Sequence, residues 1–166
     1  MMEEKEKVEP KAIQDYYPDS FAWCYGCGRL NEKGLHFRTV WDGEGTLTRF
    51  LPRPEHIAVP GFTYGGLIAS LIDCHSTGSA SLALYRARGH EPGDEAPVPR
   101  FVTASLKVDF LKPTPLGVLL EVRGEMKSLG ERKVVVESKL YADGILTVTG
   151  EVVAVLMPEN FGSSSS

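Results

Sequence analysis

Residues 60–73 read Pro-Gly-Phe-Thr-Tyr-Gly-Gly-Leu-Ile-Ala-Ser-Leu-Ile-Asp, a glycine-containing turn that runs straight into an apolar segment. Beyond the glycines, apolar residues recur at helical spacing, which predicts one helix from Gly65 to about Ala87, roughly 33 Å long. Asp73 then lies about two turns inside the helix. Asp is a poor helix former and has no capping role at that depth, so its position points to chemistry.

Strands are predicted on both sides of this helix. They alternate apolar and polar residues between turn signals, and they fall at 35–40, 46–51, 102–110, 116–126, 132–141 and 145–156. Two strands, one long helix and four strands indicate an α+β fold, an antiparallel sheet with the helix on one face. The alternation leaves the other sheet face to solvent or to another subunit.

Composition limits the function classes. The chain has 166 residues, 42% of them hydrophobic and 24% charged, as in a single soluble domain. A net charge of −4 argues against nucleic-acid binding. No segment reaches the roughly 20 apolar residues of a membrane helix, and the charged start lacks a secretion signal. We therefore expect a cytoplasmic protein without a membrane partner.

The chain is expected to divide into three parts. Residues 1–23 form a charged N-terminal segment and lead-in, of which the first 12 or so are expected to be disordered, 24–158 form the domain, and 159–166 form a disordered tail. Three cysteines, an odd number, argue against a disulfide framework.

Four motifs together carry a family resemblance. The first is 24–35, which begins Cys-Tyr-Gly-Cys-Gly, and the second is 60–73. The third is 108–117, which contains Pro113, Pro115 and Gly117, and the fourth is Leu-Gly-Glu-Arg at 129–132. Over roughly residues 24–157 the chain resembles hotdog-fold acyl-CoA thioesterases of the phenylacetate-degradation type. The resemblance implies a long central helix wrapped by a curved antiparallel sheet of about six strands.

The resemblance also implies an activity. The protein would hydrolyse an aryl or medium-chain acyl-CoA to the free acid and CoA, with no metal and no other cofactor. Hotdog proteins of this kind are homodimers or dimers of dimers, so the site would lie at a subunit boundary. Asp73 of one chain would then face Gly66 of another.

Chemical roles follow for the residues of the helix. Backbone N–H groups at a helix start lack intrahelical partners and can polarise a thioester carbonyl, a role given to Gly66, with Gly65 shaping the turn. Asp73 would act as general base or as nucleophile. One turn further on, Thr77 would hold the attacking water and Ser76 would contact the substrate. Close packing of small side chains accounts equally well for Ser76 and Thr77.

Other residues are assigned to substrate binding. Tyr64 stands where the family usually has His, and its ring or hydroxyl would contact the acyl thioester. His56 would line the site, unless it is a plain loop histidine, and Arg132 would meet a CoA phosphate. Two rival functions stay open: an acyl-CoA or hydrophobic-ligand binding protein without activity, favoured by Tyr64, and a hydroxyacyl thioester dehydratase that would use His56.

The Cys24 and Cys27 pair has zinc-like spacing, but a structural zinc site needs four ligands. Cys74 is predicted on the helix and His36 is the other candidate. The expectation is therefore structural thiols in a turn, with no metal.

Overall fold

A computed structural model describes residues 9–158. It contains one long helix, α1 at Gly65–Ala87, and six strands: β1 at Thr39–Asp42, β2 at Gly45–Phe50, β3 at Phe101–Phe110, β4 at Leu120–Leu129, β5 at Lys133–Ala142 and β6 at Ile145–Leu156. The bounds of α1 agree with the sequence expectation. The proposed tail, 159–166, and most of the segment expected to be disordered lie outside the described residues.

The six strands form one antiparallel sheet in the order β1-β2-β4-β5-β6-β3. The helix contacts every strand. Six flat strands would span about 24 Å, roughly twice the diameter of a helix, so the sheet must curve around α1 to make those contacts. The expected α+β hotdog architecture is confirmed.

The helix is central because it is enclosed on two sides. Every residue from Cys74 to Tyr85 is buried, the pattern of a helix without a solvated face. Ile68, Leu71 and Ile72 pack into the main core against the sheet. On the other side, Ile13 and Tyr17 of the lead-in pack near the C-terminal end of the helix. The lead-in therefore shares the domain core, although the sequence placed it outside the domain.

Two strand boundaries differ from expectation. The first strand begins at Thr39 rather than Leu35, because Leu35 and Phe37 are buried core residues of a loop. The fourth begins at Leu120 rather than Leu116, because the N–H of Leu116 donates to Gly61 and Gly117 has φ +87°. That contact ties the segment after β3 to the loop before α1. Ala12, expected to be disordered, is fully buried.

The sheet has an open edge at β3, which pairs only with β6 among the described strands. Most of its side chains are exposed, including Leu106 and Phe110. A long edge strand with unpaired backbone groups is a ready surface for another strand.

No helix in residues 9–158 is long and apolar enough to cross a membrane.

Candidate active site

Asp73 lies in the middle of α1, half-buried, on the side of the helix that faces β3. The Thr103 hydroxyl donates a hydrogen bond to its Oδ1. Burial raises the pKa of the Asp73 carboxyl, and the hydrogen bond from Thr103 opposes that shift. A carboxylate held by one oxygen keeps its other oxygen available as a proton acceptor, and partial desolvation makes it a stronger base.

The partner of Asp73 depends on an irregularity in β3. The register between β3 and β6 shifts between Thr103 and Ser105, which marks a β-bulge. Bulges re-aim side chains and are common beside active sites. Sequence reasoning missed Thr103, because a bulge is set by strand pairing and leaves no signal in a stretch of alternating residues.

The start of α1 presents the expected backbone donors. Tyr64 is the N-cap residue and offers no side-chain hydrogen bond to the helix. The first helical bond from its carbonyl goes to the N–H of Ile68, at 3.2 Å, so the N–H groups of Gly65 and Gly66 precede the helical ladder. The exposed Tyr64 ring lies against Gly66, where any side chain would collide with it.

The loop before α1 is fixed by the segment after β3. The N–H of Thr63 donates to the carbonyl of Thr114 at 2.8 Å, and the Thr63 hydroxyl donates to the carbonyl of Pro115 at 3.0 Å. Thr114 is held in turn by the Thr147 hydroxyl at 2.8 Å. Two of the four sequence motifs therefore meet here, and together they position the helix start.

An apolar groove of about 500 Å³ opens beside this helix start. Its floor is formed by Gly65 and Ile68 of the helix, and its walls come from the two tied segments. The lining also includes the side chains of Val59, Phe62, Phe110, Leu111 and Pro113. Among these, Phe62 and Phe110 are substantially exposed aromatic rings. The groove therefore offers an apolar binding surface next to the backbone donors.

Asp73 and Gly66 share one face of the helix but lie far apart along it. Seven residues at 1.5 Å per residue separate them by about 10 Å. The carboxylate and the N–H group of one chain therefore belong to different stretches of the helix, one near its middle and the other at its start.

The neighbouring hydroxyl groups already have protein partners. Thr77 is buried, and its hydroxyl donates to the carbonyl of Cys74 at 3.2 Å. It can therefore only accept a hydrogen bond from a water. The Ser76 hydroxyl lies 3.3 Å from that of Ser138 on β5, inside the core. Ser76 thus faces β5 in the interior of the sheet, whereas Asp73 faces the edge strand β3.

His56 and Arg132 lie at different places. The Nδ1 of His56 accepts the N–H of Arg53 at 2.9 Å, and burial lowers the pKa of the ring. Its carbonyl accepts the N–H of Tyr64 at 2.9 Å, so His56 adjoins the helix start. Arg132 is exposed in the β4–β5 turn, at the sheet end nearest the C-terminal half of α1.

A larger cavity of about 630 Å³ lies elsewhere, on the outer face of the sheet. Charged side chains line much of it, and several are already paired. Lys107 lies 3.6 Å from Asp109, and Arg123 lies 2.7 Å from Asp42. Neither Asp73 nor the start of α1 lines this larger cavity, so cavity size alone does not identify the active site.

Beside Asp73, the described residues contain one set of side chains suited to a soft metal ion. The Sγ atoms of Cys24, Cys27 and Cys74 all lie within 4.8 Å of one another. The helix therefore carries Cys74 to the pair that the sequence placed in a separate turn.

Comparison with known proteins agrees with this geometry. A model of the thioesterase superfamily matches residues 60–149, which include α1 and the segments that position its start. A thioesterase superfamily protein from Shewanella loihica, known as a crystal structure, is 48% identical; the match covers 86% of this chain and 100% of that one, with a TM-score of 0.65. The sequence-based recognition is confirmed.

Two more distant relatives extend the comparison. The acyl-coenzyme A thioesterase THEM4 of Xenopus laevis is 35% identical over 85 residues, 51% of this chain and 32% of that protein. The chain thus matches about a third of the length of this curated relative. The E. coli PaaI protein from the phenylacetic acid degradation operon shares the fold, with a TM-score of 0.59 at 13% identity over 75% of this chain and 81% of that one.

Proposed function

Because this chain belongs to the thioesterase superfamily, we propose that it hydrolyses acyl-CoA thioesters, with an aryl or medium-chain acyl group, in a reducing cytoplasm. The observation that carries the proposal is the half-buried Asp73 carboxylate, held by Thr103 at the centre of α1 beside an open sheet edge. The name of the Xenopus relative supports the choice of acyl-CoA as substrate. The apolar groove beside Gly65 supports an apolar acyl group.

The active form is a homodimer or a dimer of dimers. Within one chain, Asp73 and Gly66 are about 10 Å apart along the helix. The unpaired edge of β3 offers backbone groups to the same strand of a second copy, which continues the sheet. Such pairing brings the helix start of one copy towards Asp73 of the other. A monomer at micromolar concentration in sedimentation would contradict this arrangement.

Hydrolysis then needs three contributions from the protein. The N–H of Gly66 from one copy donates to the thioester carbonyl and stabilises the negative oxygen that forms on attack. Asp73 of the other copy removes a proton from water as its oxygen bonds to the carbonyl carbon. The tetrahedral intermediate collapses, the C–S bond breaks, and the proton passes to the CoA thiolate.

Asp73 can also react as a nucleophile and form an anhydride that water then opens. The two routes differ in where solvent oxygen enters. In a single turnover in ¹⁸O-labelled water, general-base catalysis labels only the released acid. The anhydride route labels the Asp73 carboxylate when water opens the anhydride at the Asp73 carbon, so label in Asp73 identifies that route.

The first experiment measures thiol release from a panel of acyl-CoAs that includes phenylacetyl, benzoyl, hexanoyl and octanoyl thioesters. We expect turnover of at least one class by the wild type and none above background by Asp73→Ala. Asp143→Asn is the matched control, since Asp143 is an exposed carboxylate in the turn between β5 and β6, away from β3. Retained turnover in Asp73→Ala would refute the assignment of the site.

A second candidate function is acyl-CoA binding without hydrolysis. The specific observation is the Tyr64 ring, which lies against Gly66 at the helix start, beside the backbone donors that hydrolysis would use. Tight binding of acyl-CoA without thiol release, by calorimetry beside the same panel, would establish this function in place of hydrolysis. Hydration of an enoyl-CoA that is lost in His56→Ala would establish the dehydratase.

A further inference from the structure

Three sulfur atoms converge where the turn at residues 24–28 meets α1. The Sγ atoms of Cys24 and Cys74 are 3.9 Å apart, and Cys27 completes a group within 4.8 Å. In a tetrahedral zinc–thiolate site, bonds of about 2.3 Å place neighbouring sulfurs about 3.8 Å apart. The group is therefore already close to the size of a metal-binding face.

Backbone hydrogen bonds hold the turn that carries Cys24 and Cys27. The N–H of Gly28 donates to the Cys24 carbonyl at 2.7 Å and closes the turn. The N–H groups of Leu35 and Phe37 donate to the carbonyls of Tyr25 and Gly26, at 2.8 and 2.9 Å, and fix the residues between the two cysteines.

Two glycines allow the approach of the third sulfur. A Cβ on Gly26 would collide with the Sγ of Cys74, and a Cβ on Gly28 would collide with the backbone between Ala22 and Cys24. The turn therefore places Cys24 and Cys27 against the helix only because neither glycine carries a side chain.

The charge balance is also suitable. Three thiolates and one divalent cation carry a net charge of −1. The Arg100 guanidinium is close enough to interact with all three cysteines, and it is held over the Tyr17 ring and against the carbonyl of Phe101. The positive charge of Arg100 thus offsets the net negative charge of the metal–thiolate group.

We propose that Cys24, Cys27 and Cys74 bind one Zn²⁺ ion as three thiolate ligands, with water in the fourth position. Zinc suits soft sulfur ligands, and no fourth His, Cys, Asp or Glu from residues 9–158 joins the group. Cys24 is only half-buried, which leaves a path for the ion and its water. Binding releases the thiol protons to solvent.

The ion would fasten the Cys24–Cys27 turn to the helix at Cys74, the residue after Asp73. Without metal, packing and the contact between the Cys24 and Cys74 sulfurs hold this turn against the helix. With metal, the turn is cross-linked to Cys74, so the position of Asp73 relative to β3 is fixed from the opposite side. The site does not take part in thioester chemistry, and its existence is independent of the substrate.

The test measures zinc in the intact protein. Purified without added metal or chelator, the wild type should carry about one zinc per chain, released by a thiol-modifying mercurial. Cobalt exchanged into the chelator-treated wild type should show thiolate-to-cobalt charge-transfer absorption. Chelation should also raise the rate of Cys24 alkylation, read by peptide mass.

The variants separate this site from adventitious binding. In Cys24→Ser and in Cys74→Ser, the zinc content per chain should fall at least about tenfold. His36→Ala removes the other ligand candidate near the turn, and its zinc content should equal that of the wild type. The cobalt experiment uses only the wild-type protein, so its result does not depend on whether the serine variants fold. Any of three results would overturn the proposal. They are three free thiols with no metal, a mass lower by two hydrogen atoms because of a Cys24–Cys74 disulfide, and zinc that persists in both serine variants.

Discussion

Asp73 and His75 lie two positions apart on the same helix, yet their surroundings are opposite. Asp73 is half-buried, bonded on one side by Thr103, and faces the open edge of the sheet. His75 is fully buried, with Thr48 at 2.8 Å from Nδ1 and Ser79 at 3.4 Å from Nε2. Burial shifts both pKa values towards the neutral form, raising that of Asp73 and lowering that of His75 to about 3.

The difference lies in whether the polar atoms are satisfied. His75 belongs to a chain of hydrogen bonds that continues from Thr48 through Thr39 to Gln14 of the lead-in. Because the Ser79 hydroxyl donates to the His75 carbonyl at 2.7 Å, we assign the imidazole proton to Nε2. Such a network has no free capacity for a substrate. Asp73 is only half-buried, and within residues 9–158 one of its two oxygens has no hydrogen-bond partner, so the two residues separate into a reactive and a structural role.

The largest expected effect is on turnover in Asp73→Asn. The amide keeps the shape and can still accept from Thr103, but it cannot take a proton from water. We expect kcat to fall about 10³-fold. The free energy of unfolding should stay within about 0.5 kcal/mol of the wild type. Thiol-release kinetics and urea unfolding measure the two quantities. A parallel loss of stability would mean that Asp73 is structural as well.

His75→Leu should show the reverse behaviour. It removes the ring nitrogens that bond the buried Thr48 and Ser79 hydroxyls, while the backbone carbonyl that Ser79 donates to remains, so the free energy of unfolding should fall by about 1–3 kcal/mol. Below the unfolding transition, kcat should change less than about threefold, because the ring does not reach the site. Urea unfolding and thiol release at 20 °C provide the measurement.

A double-mutant cycle tests the stated cause. Adding Thr48→Val removes one of the stranded hydroxyls, so the double variant should be less destabilised than the sum of the single changes. Strict additivity would show that lost packing, rather than unsatisfied hydrogen bonds, explains the His75→Leu result.

Thr103→Val should have an intermediate effect. It removes the donor that orients Asp73 while keeping the shape of the side chain. We expect kcat to fall roughly tenfold with KM nearly unchanged, since the carboxylate remains but samples other positions. Thr149→Val on the outer face of β6 is the matched control. Equal kinetics in the two variants would remove Thr103 from the site.

The sequence predicted what depends on local pattern and missed what depends on pairing. The bounds of α1 and the depth of Asp73 follow from helical spacing, and they agree with the structure. Thr103 was missed because a bulge sets its direction. The sequence did not predict that Cys74 lies beside Cys24, because the two are 50 positions apart. Only the packing of the Cys24 turn against α1 brings their sulfurs to 3.9 Å.

The smallest expected effect concerns Tyr64, beside the helix start. Within residues 9–158 its hydroxyl has no side-chain or backbone partner, whereas its ring packs on Gly66. Tyr64→Phe keeps that packing, so kcat/KM should stay within about twofold of the wild type. A fall of tenfold or more, measured on the best acyl-CoA of the panel, would show that the hydroxyl donates to the substrate. The residue that replaces the usual His would then belong with Asp73 on the reactive side, rather than with the residues that only shape the helix start.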